Sequence, residues 1–243
     1  PYCLRDCKAF PCENFEDGQY PFSQNFLNMQ TRRRKEKMPV RAPYGDKVDI
    51  PPEYWDDLAQ RNVDILCLDA QCQSHPPEGV ILRVLTEEIL VNLQSKSLKR
   101  SNQGVWEPNE DLFLELLVLV YLCNVTPFPL SGQMISVHDL KDSHFFQGPH
   151  ELKIRPLLDR FGHDRSAFER AAEQIGGERT DVADAAFCFY PFPKVPVYYL
   201  LWEGDEDFKP NLKILFDKSI ERHFAADAIW GTVNMVSEAL LWA

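Results

Sequence analysis

Apolar positions along this chain change their spacing several times, and each change marks an element. Pro51 and Pro52, followed by Glu53, Tyr54, Trp55 and Leu58, predict a helix start with proline in its first turn. Residues 63 to 69, Val-Asp-Ile-Leu-Cys-Leu-Asp, alternate in the manner of a strand, which puts Val63, Ile65 and Cys67 on one face. The next ten residues, Ala70 to Gly79, are polar and rich in turn formers and predict a loop. Two strands with a tight connection follow at Val80 to Leu85 and Glu88 to Leu93.

Asn109 is the expected cap of a helix whose body, Leu112 to Leu122, is apolar on nearly every face and therefore belongs inside. The chain turns around Pro127, Pro129 and Gly132, runs through Met134 to Val137, and enters two helical segments near 151 to 160 and 166 to 175. Gly176 and Gly177 stop the second of these. Ala185 to Tyr190, Val197 to Trp202 and Leu212 to Phe216 read as strands with connections short enough for antiparallel neighbours. A closing helix carries Ile229, Val233, Val236 and Leu240 as one stripe that should cover the sheet. The fold class expected is α+β, a largely antiparallel sheet with helices packed on it, over residues 51 to 243. Residues 1 to 50 have few periodic apolar positions and predict an irregular, cysteine-rich extension that folds only against the main body or around a metal.

Composition narrows the function. Of the 243 residues, 44% are apolar and 26% charged, which suits a globular chain with an ample core. A net charge of −11 argues against binding to nucleic-acid backbones, which requires lysine and arginine to neutralise phosphates. The basic run Arg32, Arg33, Arg34, Lys35 and Lys37 is a local exception and reads as a solvated loop or a contact for an acidic partner. The longest apolar run, Leu112 to Cys123, is interrupted by Glu115 and is too short to cross a membrane. No signal-like segment opens the sequence, so the cytoplasm is the expected location.

Seven cysteines in such a chain are expected to be ligands or core residues more than disulfides. Cys3, Cys7 and Cys12, spaced Cys-x3-Cys-x4-Cys, form a thiolate loop that needs a fourth ligand. A [4Fe-4S] cluster is the expected cofactor and zinc the alternative, since both accept three thiolates from one loop and one from a distant segment. Cys72 is the fourth ligand chosen here: it lies in a polar loop where packing gives no reason for a cysteine. Cys67 is the runner-up, held back by its core-like strand position, and His75 is a third option. Cys123 and Cys188 read as core residues.

Other candidates are weaker. His138, His144 and His150 recur every six residues, which suits neither a helix face nor a strand face, and His138 beside Asp139 could form an oriented general base. The four carboxylates between Trp202 and Phe208 lack the spacing of a calcium loop and read as a solvated turn.

From about Leu116 to Leu241 the chain resembles the uncharacterised bacterial and archaeal family catalogued as domain of unknown function 3786. The resemblance is carried by the apolar helix ending Tyr121-Leu122, the turn Leu130-Ser-Gly-Gln133, Phe192-Pro-Lys-Val-Pro196 with the strand to Trp202-Glu-Gly-Asp205-Glu206, and Leu215-Phe-Asp217. The resemblance implies a fold and no reaction, though some members carry an iron-sulfur motif. The N-terminus is similar to the cluster domain of corrinoid iron-sulfur proteins, with Cys7-x4-Cys12-x2-Phe15 matching the latter half of that pattern. Together these imply an iron-sulfur protein of anaerobic metabolism, acting as an electron-transfer or accessory subunit with a protein partner in a redox complex, a corrinoid-related partner among the candidates. A zinc-stapled interaction module and an enzyme with an open cluster iron are the alternatives.

Overall fold

The computed structural model describes residues 48–102 and 104–243. Helices α1 (Pro52–Ala59) and α2 (Val63–Ala70) lead into a meander of five short strands: β1 (Gln73–His75), β2 (Gly79–Val84), β3 (Glu87–Asn92), β4 (Ser97–Asn102) and β5 (Val105–Pro108). The apolar helix α3 (Leu112–Asn124) then crosses to a second sheet built from β6 (Met134–Ser136), β7 (Glu178–Thr180), β8 (Ala185–Phe192), β9 (Val195–Trp202) and β10 (Asn211–Asp217). Helices α4 (Ile154–Phe161) and α5 (Arg165–Gln174) lie between β6 and β7 in sequence, and α6 (Ala226–Trp242) closes the chain. Both sheets are antiparallel, the first in order β1-β2-β3-β4-β5 and the second β6-β10-β9-β8-β7. The fold is thus α+β, with the expected single sheet resolved into two.

The core of the second sheet follows from the stripe on α6. Ile229, Val233, Val236 and Leu240 are all buried, as their three- and four-residue spacing requires. Tyr199, fully buried, donates its hydroxyl to the Val233 carbonyl at 3.0 Å and lies 2.9 Å from Ser237 Oγ, so the polar tip is paired where the ring is buried. Phe187, Phe189 and Tyr199 continue this layer, Phe189 meeting Tyr199 edge to face at 5.4 Å. In the first sheet Gly79 sits at φ +155°, and a Cβ there would lie 2.1 Å from the Val91 carbonyl oxygen. Only glycine allows that approach.

Three expectations fail for physical reasons. The strand predicted over residues 63 to 69 is the helix α2: the Asn62 side chain accepts from the Asp64 and Ile65 amides and caps it, and Leu66 and Ala70 form its buried face one turn apart. Alternation over so few residues fitted both periods, and the cap decided. The cap of α3 is Asp111, whose Oδ1 accepts from the Phe113 and Leu114 amides, whereas Asn109 donates its side-chain amide to the Asp111 carbonyl. Strands β1, β4 and β5 lie where the apolar pattern is too weak to announce them, because β1 and β5 contain no buried side chain and β4 only Leu98. Glu115, the charge inside α3, accepts from Trp55 Nε1 at 3.2 Å, and burial raises its carboxyl above the ordinary value.

Replacing Leu240 by alanine removes a fully buried anchor of α6 and is expected to cost about 2–4 kcal/mol. Trp242→Ala, at a position 68% exposed, is expected to stay within about 0.5 kcal/mol. Urea unfolding of the full chain measures both, and equal effects would contradict the stripe as the core contact.

Candidate functional site

The end of α2 brings two thiols together. Gln71 takes the left-handed conformation at φ 53°, ψ 45°, and its amide, like that of Cys72 at 3.1 Å, points back to the Cys67 carbonyl. This is the reversal that ends many helices, and it turns the second residue past the helix onto the last turn. Here those two positions are Cys72 and Cys67, with sulfurs 3.8 Å apart and both residues half-buried. Burial first, then the neighbouring Cys67, pushes the Cys72 thiol up to about 12.

Cys67 is therefore not the core residue that the strand reading made it. It stands beside Cys72, and the argument that separated the two as ligands lapses with the strand. His75 is turned toward Glu78 at 3.3 Å and meets the edge of Trp106. Cys3, Cys7 and Cys12, and the basic run at 32 to 37, lie outside the described residues. Among the described residues no group of three or more His, Cys, Asp or Glu side chains is placed to hold a metal ion. Cys188 is buried as expected; Cys123 is half-buried, its sulfur 3.4 Å from the Tyr54 carbonyl, and burial raises both thiols to about 11.

A buried polar network stands behind the thiols. Tyr121 of α3 donates its hydroxyl to the Ala70 carbonyl at 3.0 Å, fixing the last turn of α2, and its ring stacks on Phe192 at 4.7 Å. Lys194, in the connection between β8 and β9, is only 4% exposed and donates to the Thr126 carbonyl. Burial lowers its pKa, and the nearby Asp69 opposes that shift. The Thr126 amide donates to His223 Nδ1 at 3.3 Å, which leaves the imidazole proton on Nε2. That nitrogen has no hydrogen-bond partner among the described residues, although His223 is 1% exposed. Burial, then Lys194, lowers the histidine to about 4, so it is neutral at ordinary pH.

Asp217 anchors the far end. Burial disfavours its charge, yet donors from Ser219 and Ser131 outweigh this and hold the carboxyl at about 2. The Ser131 amide (2.9 Å) and hydroxyl (2.8 Å), the Gly132 amide (2.7 Å) and the Ser219 amide (2.8 Å) all donate to it. Sequence reasoning overlooked Lys194, His223 and Asp217 as a group. One signal was present: Tyr121, Ser131, Gly132, Lys194 and Asp217 belong to the separate segments that carry the family resemblance, and those segments meet here.

The remaining candidates have other partners. Asp139 accepts from the Ser136 amide and hydroxyl, which lower its pKa, so the carboxylate is engaged as a cap and does not orient His138. His150 stacks on Phe145 at 4.2 Å and meets Trp230 edge-on. Asp205 accepts from the Asp207 and Phe208 amides, which makes the acidic stretch a turn. A cleft of about 370 Å³, lined by Gln71, Gln73, Arg83, Glu178 and Tyr190 among others, opens where the two sheets adjoin and was not foreseen.

The network makes stability pH-dependent with a definite sign. Between the unfolded histidine value of 6.5 and the folded value of about 4, the unfolded chain binds a proton that the folded chain refuses. Stability is therefore full above that window and falls as pH falls through it. Asp217 adds a second loss between its unfolded value of 3.8 and its folded value of about 2. Urea unfolding against pH should show the first decline flattened in His223→Gln. Asp217→Asn should lose about 2 kcal/mol at neutral pH, a deficit that fades below about pH 3.

No helix among the described residues is long and apolar enough to cross a membrane. No curated protein and no solved structure matches the chain. A family model described as Domain of unknown function (DUF3786) matches residues 66–239, a span that holds both thiols of the pair and the whole buried network. Matched over more than half its length, the chain belongs to that family.

Proposed function

We propose that this chain is a metal-thiolate protein, an iron-sulfur electron-transfer or accessory subunit of a larger redox assembly in the cytoplasm. Cys3, Cys7 and Cys12 with one thiol of the Cys67/Cys72 pair would hold a [4Fe-4S] cluster. The observation that carries this reading is the pair itself: two half-buried sulfurs 3.8 Å apart at a helix end closed by the chain reversal. They have no third donor near them among the described residues. A metal held by such a pair must draw its other ligands from elsewhere, and the N-terminal loop offers three thiolates. The similarity of that loop to the cluster domain of corrinoid iron-sulfur proteins favours iron over zinc and keeps a corrinoid-related partner in view. Ile65 and Leu68, 59% and 80% exposed on the helix that carries Cys67, offer an apolar step where a partner protein would meet the site.

One observation favours zinc. Four sulfurs at about 2.3 Å from one ion stand about 3.8 Å apart along each edge of the tetrahedron, and the pair has that separation. Both sulfurs would then bind one ion, joined by two N-terminal cysteines, and the protein would be a stapled interaction module. In the cluster each thiolate caps a different iron, so one of the pair stays a thiol.

Anaerobic purification of the full chain, followed by iron, zinc and sulfide analysis, tests the proposal. The cluster reading expects iron and sulfide in equal amounts, visible absorbance that bleaches with dithionite, and loss of metal in only one of Cys67→Ser and Cys72→Ser. Zinc without sulfide, lost in both variants, would establish the second reading. A metal-free protein would overturn both.

A further inference from the structure

The same helix end supports a chemistry that needs no metal. Cys67 and Cys72 are in sulfur contact without any element having to move, because the left-handed residue Gln71 and the two amides turned to the Cys67 carbonyl fix the backbone between them. We infer that Cys67 and Cys72 form a reversible dithiol–disulfide couple, exchanging with low-molecular-weight disulfides or a dithiol protein partner. Closing from 3.8 Å to a bond of about 2.05 Å needs side-chain rotation and a small adjustment of the helix end. Tyr121, hydrogen-bonded to the Ala70 carbonyl, holds the other side of that end and keeps the turn in place.

The reaction balances as thiol–disulfide exchange. One cysteine thiolate attacks a disulfide RSSR and forms a mixed disulfide, and RS⁻ leaves with the proton that the cysteine gave up. The second cysteine then attacks the protein sulfur of the mixed disulfide, and the second RSH leaves. The protein is oxidised by two electrons and gives up two protons; RSSR is reduced to two RSH. The inference stands apart from the metal reading, although a sulfur in the disulfide is no longer a thiolate ligand, so the two states exclude each other.

The test uses the full chain stripped of metal by a chelator, so that failure to bind metal does not affect it. The protein is equilibrated in glutathione buffers of graded ratio, quenched with iodoacetamide and digested with trypsin. Neither lysine nor arginine lies between Asn62 and Arg83, so both cysteines fall in one peptide. The expected product is that peptide unalkylated and lighter by two hydrogens, formed while the buried Cys188 still alkylates after unfolding. Cys67→Ser and Cys72→Ser should each trap the remaining thiol as its glutathione adduct. A peptide that stays alkylated at both positions, or a Cys67 or Cys72 joined to a different cysteine, would overturn the inference. Gln71→Gly should keep the couple, and Gln71→Val, which disfavours the left-handed turn, should lower the oxidised-to-reduced ratio roughly ten-fold at fixed glutathione. An unchanged ratio in Gln71→Val would show that the helix end does not place the sulfurs, and would overturn it as well.

Discussion

One buried carboxylate ties the second sheet to everything around the thiols. Asp217 ends β10, and a charge there must be matched by donors or it would neutralise or unfold its surroundings. Four donors from two separate segments meet it, three from the turn at Ser131 and Gly132 and one from the Ser219 amide. The first set pins the turn that precedes β6. The second starts the short helix Lys218–Arg222, which delivers His223 to Thr126. Thr126 also accepts from Lys194, so the connection between β8 and β9 is held by the same residue that holds the histidine. Asp217, Lys194 and His223 are buried, and each would cost free energy if its partner were removed.

That linkage reaches the sulfurs through Tyr121. Its ring stacks on Phe192, at the end of β8, and its hydroxyl is bound to the Ala70 carbonyl one residue before Gln71. The last turn of α2 would otherwise be an exposed helix end of eight residues, too short to be stable by propensity alone. Tied down by Tyr121 and by buried Leu66 and Ala70, it presents Cys67 and Cys72 at a set spacing. The two thiols are thus positioned through the helix end that Tyr121 holds.

The elements legible in the sequence were those whose period is enforced by burial over several turns or residues. The α6 stripe, the β8–β9 pair and the apolar α3 all lie in the core, and their apolar spacing survives because each position contributes to packing. Helix α2 reads as a strand because its first seven residues fit two periods, and the deciding contact, the Asn62 cap, is a single side chain. Strands β4 and β5 were missed because their pairing is made by backbone groups that have no sequence signature; Ser97–Asn102 buries only Leu98. For the site, Cys72 stands out in the sequence as a cysteine in a polar stretch, but its neighbour Cys67 is hidden there by the wrong element. Asp217 and His223 flank one short helix, but Lys194 and Thr126 come from other segments, and only the tertiary fold brings the four together.

The two thiols also set a limit on what can happen to their charge. They sit at the C-terminal end of α2, where unpaired carbonyls present partial negative charge. The same contact that raises the Cys72 thiol opposes a second negative sulfur beside it. Two bare thiolates are therefore the least stable form of the pair. A bound cation removes the repulsion by compensating both charges, and a disulfide removes it by eliminating them. Metal ligation and oxidation are then alternative answers to one electrostatic constraint, set by the turn at Gln71.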